Sequence, residues 1–180
     1  MSPPTSEEEI PSWHTSGQKE VGVGVGVSEN LGQLGYLGYL DPVVGLSGDF
    51  WYLRNSKKNP QLQLGLTVFG GNVALVGGGG ILRYYFVNKE NTHIGFGFQA
   101  GWAWAGIEFP MGFRLRNHLW FYTAPALKVS LLDVLHIPLG ISYETPNDQV
   151  LTTAINLSSL GYYGDPQPAI TLEFSYGKRF

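Results

Sequence analysis

Between residues 62 and 68 every second side chain is apolar: Leu62, Leu64, Leu66 and Val68 alternate with Gln63, Gly65 and Thr67. The same period of two runs through KEVGVGVGVS, where Val21, Val23, Val25 and Val27 share one side and Gly22, Gly24 and Gly26 the other. It returns in the closing AITLEFSYGKRF, with Ile170, Leu172, Phe174, Tyr176 and Phe180 opposite Thr171, Glu173, Ser175, Gly177 and Arg179. Successive side chains of an extended chain point to opposite faces, so each stretch reads as a two-faced strand. The second face is the unusual one. It is built largely of glycine, serine and glutamine, with few of the charged groups that clothe a water-facing sheet.

Further segments carry the alternation. Val44, Leu46, Phe50 and Tyr52 oppose Gly45, Ser47, Asp49 and Trp51; Leu82, Tyr84 and Phe86 oppose Gly79, Arg83 and Tyr85. Residues 93–104 place Ile94, Phe96, Phe98, Ala100, Trp102 and Trp104 together, and a hairpin is expected at Ala105-Gly106. Residues 107–115, 119–131, 136–144 and 149–160 continue the series. Polar turns separate the strands at NSKKNP, NKENT and TPND. No convincing helix is present, and Gly77 to Gly80 lack the GK[ST] and the helix of a phosphate loop. The one irregular region lies between Val21 and Arg54, where a fused or split strand is expected.

Only 14% of residues are charged, against a usual share of about 25%. That is too few to cover a soluble exterior of this size. No apolar run reaches the length of a transmembrane helix, whereas strands of roughly ten residues match a tilted bilayer crossing. Net charge is −3 with basic residues dispersed, which offers nothing to nucleic acid. There is no Cys, and the four His show no paired spacing, so neither a metal nor a cofactor is expected. Residues 1–18 are acidic and rich in Pro and Ser, and read as a flexible leader before a barrel domain over 19–180. They contain no apolar segment of a signal peptide, so the expectation is a mature chain without its export signal.

These features predict an all-β fold: a transmembrane antiparallel up-and-down barrel of about ten strands, within a range of roughly eight to twelve. In lipid the greasy face turns outward and the sheet must close on itself. Val21, Leu64, Phe96, Phe98, Trp102, Trp104, Ile170 and Phe174 are then expected to face lipid. Asp49, Arg83, Glu108, Arg114, Lys128, Glu144, Glu173 and Arg179 are expected to line the lumen as mixed-sign ion pairs.

The terminal LEFSYGKRF, the ILRYYF of residues 81–86 and the HIGFGFQAGW of residues 93–102 resemble the small outer-membrane β-barrel superfamily of Gram-negative bacteria, the OmpA/OmpX/OmpW-like proteins, in a natural or designed form. The resemblance implies outer-membrane localisation, a lipid bilayer as surroundings, and an assembly signal at Tyr176 and Phe180 for the barrel-assembly machinery. A monomer is expected.

Three functions fit the residues. The first is a non-enzymatic barrel, structural or a narrow water-filled pore with a glycine-rich lumen. The second is a hydrolase acting on lipid or peptide through His136, Ser142 and Glu144, which share a strand face. His136 and Ser142 are six positions apart, roughly 20 Å along a strand, too far for direct contact. The third is a soluble barrel that binds an apolar ligand.

Overall fold

The computed structural model describes residues 15–30, 44–71, 77–102, 104–130, 133–162 and 165–180. The strands are β1 Lys19–Asn30, β2 Val44–Asn55, β3 Leu62–Gly71, β4 Gly77–Lys89, β5 Thr92–Gly101, β6 Trp104–Glu108, β7 Met111–Arg116, β8 Leu119–Thr123, β9 Ala126–Ser130, β10 Asp133–Glu144, β11 Gln149–Tyr162 and β12 Asp165–Arg179. Each pairs antiparallel with its neighbours, and β12 pairs with β1 over Asn30↔Ala169 to Glu20↔Arg179, which closes the sheet.

Twelve hydrogen-bonded segments make a wall of ten strands. β6 and β7 both pair with β5 and form one interrupted strand. β8 and β9 both pair with β10 and form the next. The breaks fall at Phe109-Pro110 and Ala124-Pro125. Proline has no N–H to give the ladder, which accounts for an interruption at each site. Thus the split elements lie here. Of the region where one was expected, residues 19–30 and 44–54 belong to regular strands and residues 31–43 lie outside the described residues.

Side chains obey the period of two across both breaks. Outward positions include Val25 at 63% exposed, Leu66 at 62% and Phe98 at 54%, together with Leu64, Leu82, Phe86, Ile141, Ile155, Ile170 and Phe174. Inward positions hold Trp120, His93, Glu108 and Asn156, all nearly inaccessible. The usual arrangement of a globular sheet is therefore inverted: large apolar groups cover the outside and ionised groups are buried within.

The turns over 56–61, 90–91, 117–118 and 145–148 lie at the same end as Lys19 and Phe180. Asp148 closes the last of these with φ of 60°, a left-handed position that Asp tolerates. The segment Thr15–Gln18 crosses this end. Asn55 Nδ2 donates to the Thr15 carbonyl at 3.0 Å, and Ser16 Oγ donates to the Lys57 carbonyl at 2.8 Å. The last four residues of the expected flexible leader are therefore bound to the barrel; residues 1–14 lie outside the described residues.

Candidate functional site

The lumen is the site that the fold presents. Near the termini it is crossed by side chains that touch one another in sequence around the wall. Arg179 on β12 donates through Nε to Glu20 Oε2 on β1 at 2.9 Å, and through Nη1 to Glu144 on β10. Trp120 Nε1 on β8 donates to the other oxygen of Glu144 at 3.1 Å. The Trp120 ring packs 5.6 Å from His93 on β5, and His93 meets the edge of Tyr85 on β4 at 5.6 Å. The Tyr85 hydroxyl reaches Gln63 on β3 at 3.4 Å, and Gln63 Nε2 donates to Asn55 Oδ1 on β2 at 3.1 Å. Trp51 Nε1, also on β2, returns to Glu20 Oε1 at 3.1 Å. The contacts run from Trp51 around the inside of the barrel to Asn55, both on β2, whose backbone completes the ring. Trp120 is 0% exposed, His93 1%, Asn55 2% and Tyr85 2%.

Arg114 lies in the same layer, with its guanidinium 4.7 Å from the Trp120 ring centroid and 3.6 Å from Glu90 at the rim. One step deeper, Arg83 grips Glu108 with two prongs, Nε–Oε1 at 2.5 Å and Nη2–Oε2 at 3.1 Å. Its Nη1 also donates to Gln63 Oε1 at 3.3 Å, and Gln99 donates to Glu108. Such charge-assisted, forked bonds are the strong ones, and in a confined interior they hold only while both partners stay.

The inner glycines make room for these groups. A Cβ at Gly22 would land in the Trp51 ring, and one at Gly112 in the His93 imidazole. A bare backbone on one strand thus faces a large side chain on the next. For this reason a glycine-rich inner face does not by itself mean an empty lumen.

The opposite half is more open. Ser47 and Asp49 on β2 point inward and are exposed, while Lys128 and Glu173 are partly covered. Lys128 places its amine 5.8 Å from the Trp104 ring centroid, and Phe69 packs 6.1 Å from the same ring.

Trp104 was expected to face lipid, and its ring instead lies inside. The register closes between Gly101 and Trp104, which pair with each other, and not at Ala105-Gly106, which pair with Ala100 and Gln99. Cross-strand partners share a face, so Trp104 inherits the inward side of Gly101. Trp102 sits in the turn itself, 93% exposed. Of the other residues expected outside, Leu64, Phe98, Ile170 and Phe174 are exposed on the outer face; Val21 and Phe96 are half-buried there, Phe96 between Phe98 at 4.9 Å and Phe109 at 5.4 Å. The eight ionisable residues expected within all sit at inward strand positions. They fall into a packed group of Arg83, Glu108, Arg114, Glu144 and Arg179 and a more open group of Asp49, Lys128 and Glu173. Glu20, Trp51, Asn55, Gln63, His93 and Trp120 were not singled out as site residues, although their parity on the polar face is legible in the sequence.

The three residues of the hydrolase reading do not converge. The Ser142 hydroxyl bonds Thr152 Oγ1 at 2.7 Å, and the Glu144 carboxylate is engaged by Arg179 and Trp120. No group of three or more His, Cys, Asp or Glu that could hold a metal occurs among the described residues.

No family model matches the chain, and no curated protein matches it. Solved structures do. The attachment invasion locus protein Ail of Yersinia pestis is 15% identical over 92% of this chain and 100% of its own, with a TM-score of 0.47. The KdgM porin is 10% identical over 88% of this chain and 98% of its own, with a TM-score of 0.50. The neisserial surface protein NspA is 13% identical over 91% of this chain and 98% of its own, with a TM-score of 0.41. At these identities the likeness, carried by the porin, concerns the fold alone: a closed antiparallel β-barrel.

Proposed function

We propose that this chain is an integral outer-membrane β-barrel with a structural, non-enzymatic role, whose lumen is sealed near the termini by the side-chain run Trp51–Glu20–Arg179–Glu144–Trp120–His93–Tyr85–Gln63–Asn55. The observation that carries the reading is the inversion of the sheet. Exposed Val, Leu, Ile and Phe cover the outer face of the closed wall while ion pairs occupy its interior. Lipid can face such an exterior; water would have to solvate a continuous apolar surface far larger than a soluble monomer exposes. Its surroundings on this reading are lipid or detergent. If the chain is natural, the barrel-assembly machinery would read Tyr176 and Phe180, which point outward near the end of the wall.

A narrow-pore reading is favoured by one observation, the solvent-accessible inner positions Ser47 and Asp49 in the opposite half. A barrel of about ten strands is also wide enough to hold some water. Detergent dependence and heat-modifiable gel mobility test the membrane barrel, and conductance in planar bilayers separates the two lumens. The sealed barrel is silent when fully inserted. Steady conductance through the unmodified protein would select the pore, and a monodisperse sample in plain buffer would remove both readings.

A further inference from the structure

The chain has eleven Lys and Arg residues, and they are not spread evenly over the barrel. Arg83, Arg114, Lys128 and Arg179 occupy inward positions. The others, Lys19, Arg54, Lys57, Lys58, Lys89, Arg116 and Lys178, all belong to the rim that carries the short turns. The stretches of sequence that follow β1, β3, β5, β9 and β11 (residues 31–43, 72–76, 102–103, 131–132 and 163–164) contain no Lys or Arg.

Five of the rim cations are contiguous. Lys19 on β1 is the register partner of Arg54 on β2. Lys178 on β12 is the partner of Val21, and Lys19 exchanges both backbone bonds with Phe180, so Lys178 and Lys19 are diagonal neighbours on the outer face. Lys57 and Lys58 follow in the turn after β2, which the Ser16–Lys57 bond ties to the segment crossing the mouth. Arg54, Lys57, Lys58 and Lys178 are exposed; Lys19 is half-buried with its amine 5.5 Å from the Phe180 ring centroid.

Among the described residues no acidic side chain lies within ion-pair distance of these five cations. Glu20 points inward and is held by Arg179 and Trp51. Glu144 is likewise inside, and no ion pair joins an acidic side chain to any of the five. Asp148, in the neighbouring turn, meets β12 through its backbone carbonyl, which accepts from the Arg179 N–H at 2.8 Å. Tyr52, Tyr176 and Phe180 stand on the outer face beside the cations, at the level where amphipathic rings mark a headgroup boundary.

We propose that Lys178, Lys19, Arg54, Lys57 and Lys58 form a docking surface for the phosphate groups of anionic phospholipids in the leaflet that meets this end of the barrel. The inference rests on the membrane reading above. The charge is complementary, the patch begins where the apolar belt ends, and Arg54 offers the planar fork that suits phosphate. Each cation close to an anionic leaflet contributes on the order of fivefold to partition toward it.

The test uses the full chain folded in phosphatidylcholine bilayers doped with spin-labelled phosphatidylglycerol or spin-labelled phosphatidylcholine. The expected result is at least about a threefold preference of the protein-contacting lipid shell for phosphatidylglycerol at low salt. The preference falls toward unity in about 1 M NaCl, where screening is short-ranged. It also falls in K19Q/R54Q/K57Q/K58Q/K178Q and persists in the control K89Q/R116Q. Should the fivefold variant fail to fold, K57Q/K58Q, confined to an exposed turn, is expected to lose about a third or more of the preference. Equal association of both lipids with the folded unmodified barrel overturns the proposal, as does a folded patch variant that keeps the full preference. A protein that stays in buffer and shows no heat-modifiable band would instead overturn the membrane reading, and the docking surface with it.

Discussion

Gly97 and Glu108 are register partners on β5 and β6, and Gly97 is also the partner of Arg83 on β4. The ion pair therefore spans three strands by passing over a residue with no side chain. A Cβ at Gly97 would stand 2.7 Å from Glu108 Oε1 and 3.1 Å from Arg83 Cγ. The bare position on the middle strand is what lets two side chains from non-adjacent strands meet.

Gly97→Val is accordingly expected to push the pair apart and to destabilise the folded barrel by about 1–3 kcal/mol, the usual cost of overpacking. Urea titration of the heat-modifiable band in detergent measures it. Gly80→Ala is the control. It lies on the exposed outer face with only the Gly65 carbonyl oxygen 3.9 Å from the added carbon, and its effect is expected to stay within about 0.5 kcal/mol.

Glu108→Ala leaves the Arg83 guanidinium in the interior without its forked partner. The expected loss is about 3–5 kcal/mol, because a charge that was paired becomes uncompensated. Replacing both, as Arg83→Met with Glu108→Leu, is expected to cost clearly less than the sum of the single changes. The same titration, run as a double-mutant cycle, reads the difference.

Trp120→Ala removes the large ring that joins His93, Arg114 and Glu144 in the layer near the termini. Truncation of a fully buried Trp is expected to cost about 3–5 kcal/mol. On the sealed-lumen proposal the gap opens that layer, so single-channel recording should find brief openings in this variant and none in the unmodified barrel.

Ser142→Ala and His136→Ala are expected to change neither lipid nor peptide turnover, which should equal that of a bilayer blank in all three proteins. Ser142 is bonded to Thr152 and the nearby carboxylate is occupied by Arg179. A hydrolytic activity that both substitutions abolish would restore the catalytic reading.

Much of this barrel is legible in the chain because its grammar is local. Period two assigns faces without any knowledge of partners, and polar clusters at 55–60, 88–92 and 145–148 mark the turns. Parity also carries through Pro110 and Pro125, so the outer assignments of Phe113 and Phe121 survive breaks that were not expected there. What stays hidden depends on register. The pairing of Gly101 with Trp104, in place of a hairpin at 105–106, reverses Trp104, since a shift in where the chain turns changes which residues face each other. The filling of the lumen near the termini is equally a register property. Gly22 admits Trp51, and Gly112 admits His93, only because each glycine lies beside the larger residue on a neighbouring strand.

The outward direction of the apolar face is tested most directly by spin labels placed one at a time along β3, which a chain without native cysteine permits cleanly. Labels at Leu64, Leu66 and Val68 in bilayers are expected to be relaxed strongly by oxygen, which concentrates in acyl chains. Labels at Gln63, Gly65 and Thr67 should show little such relaxation. Oxygen accessibility that peaks at Gln63, Gly65 and Thr67, or shows no alternation along the strand, would contradict the inverted barrel.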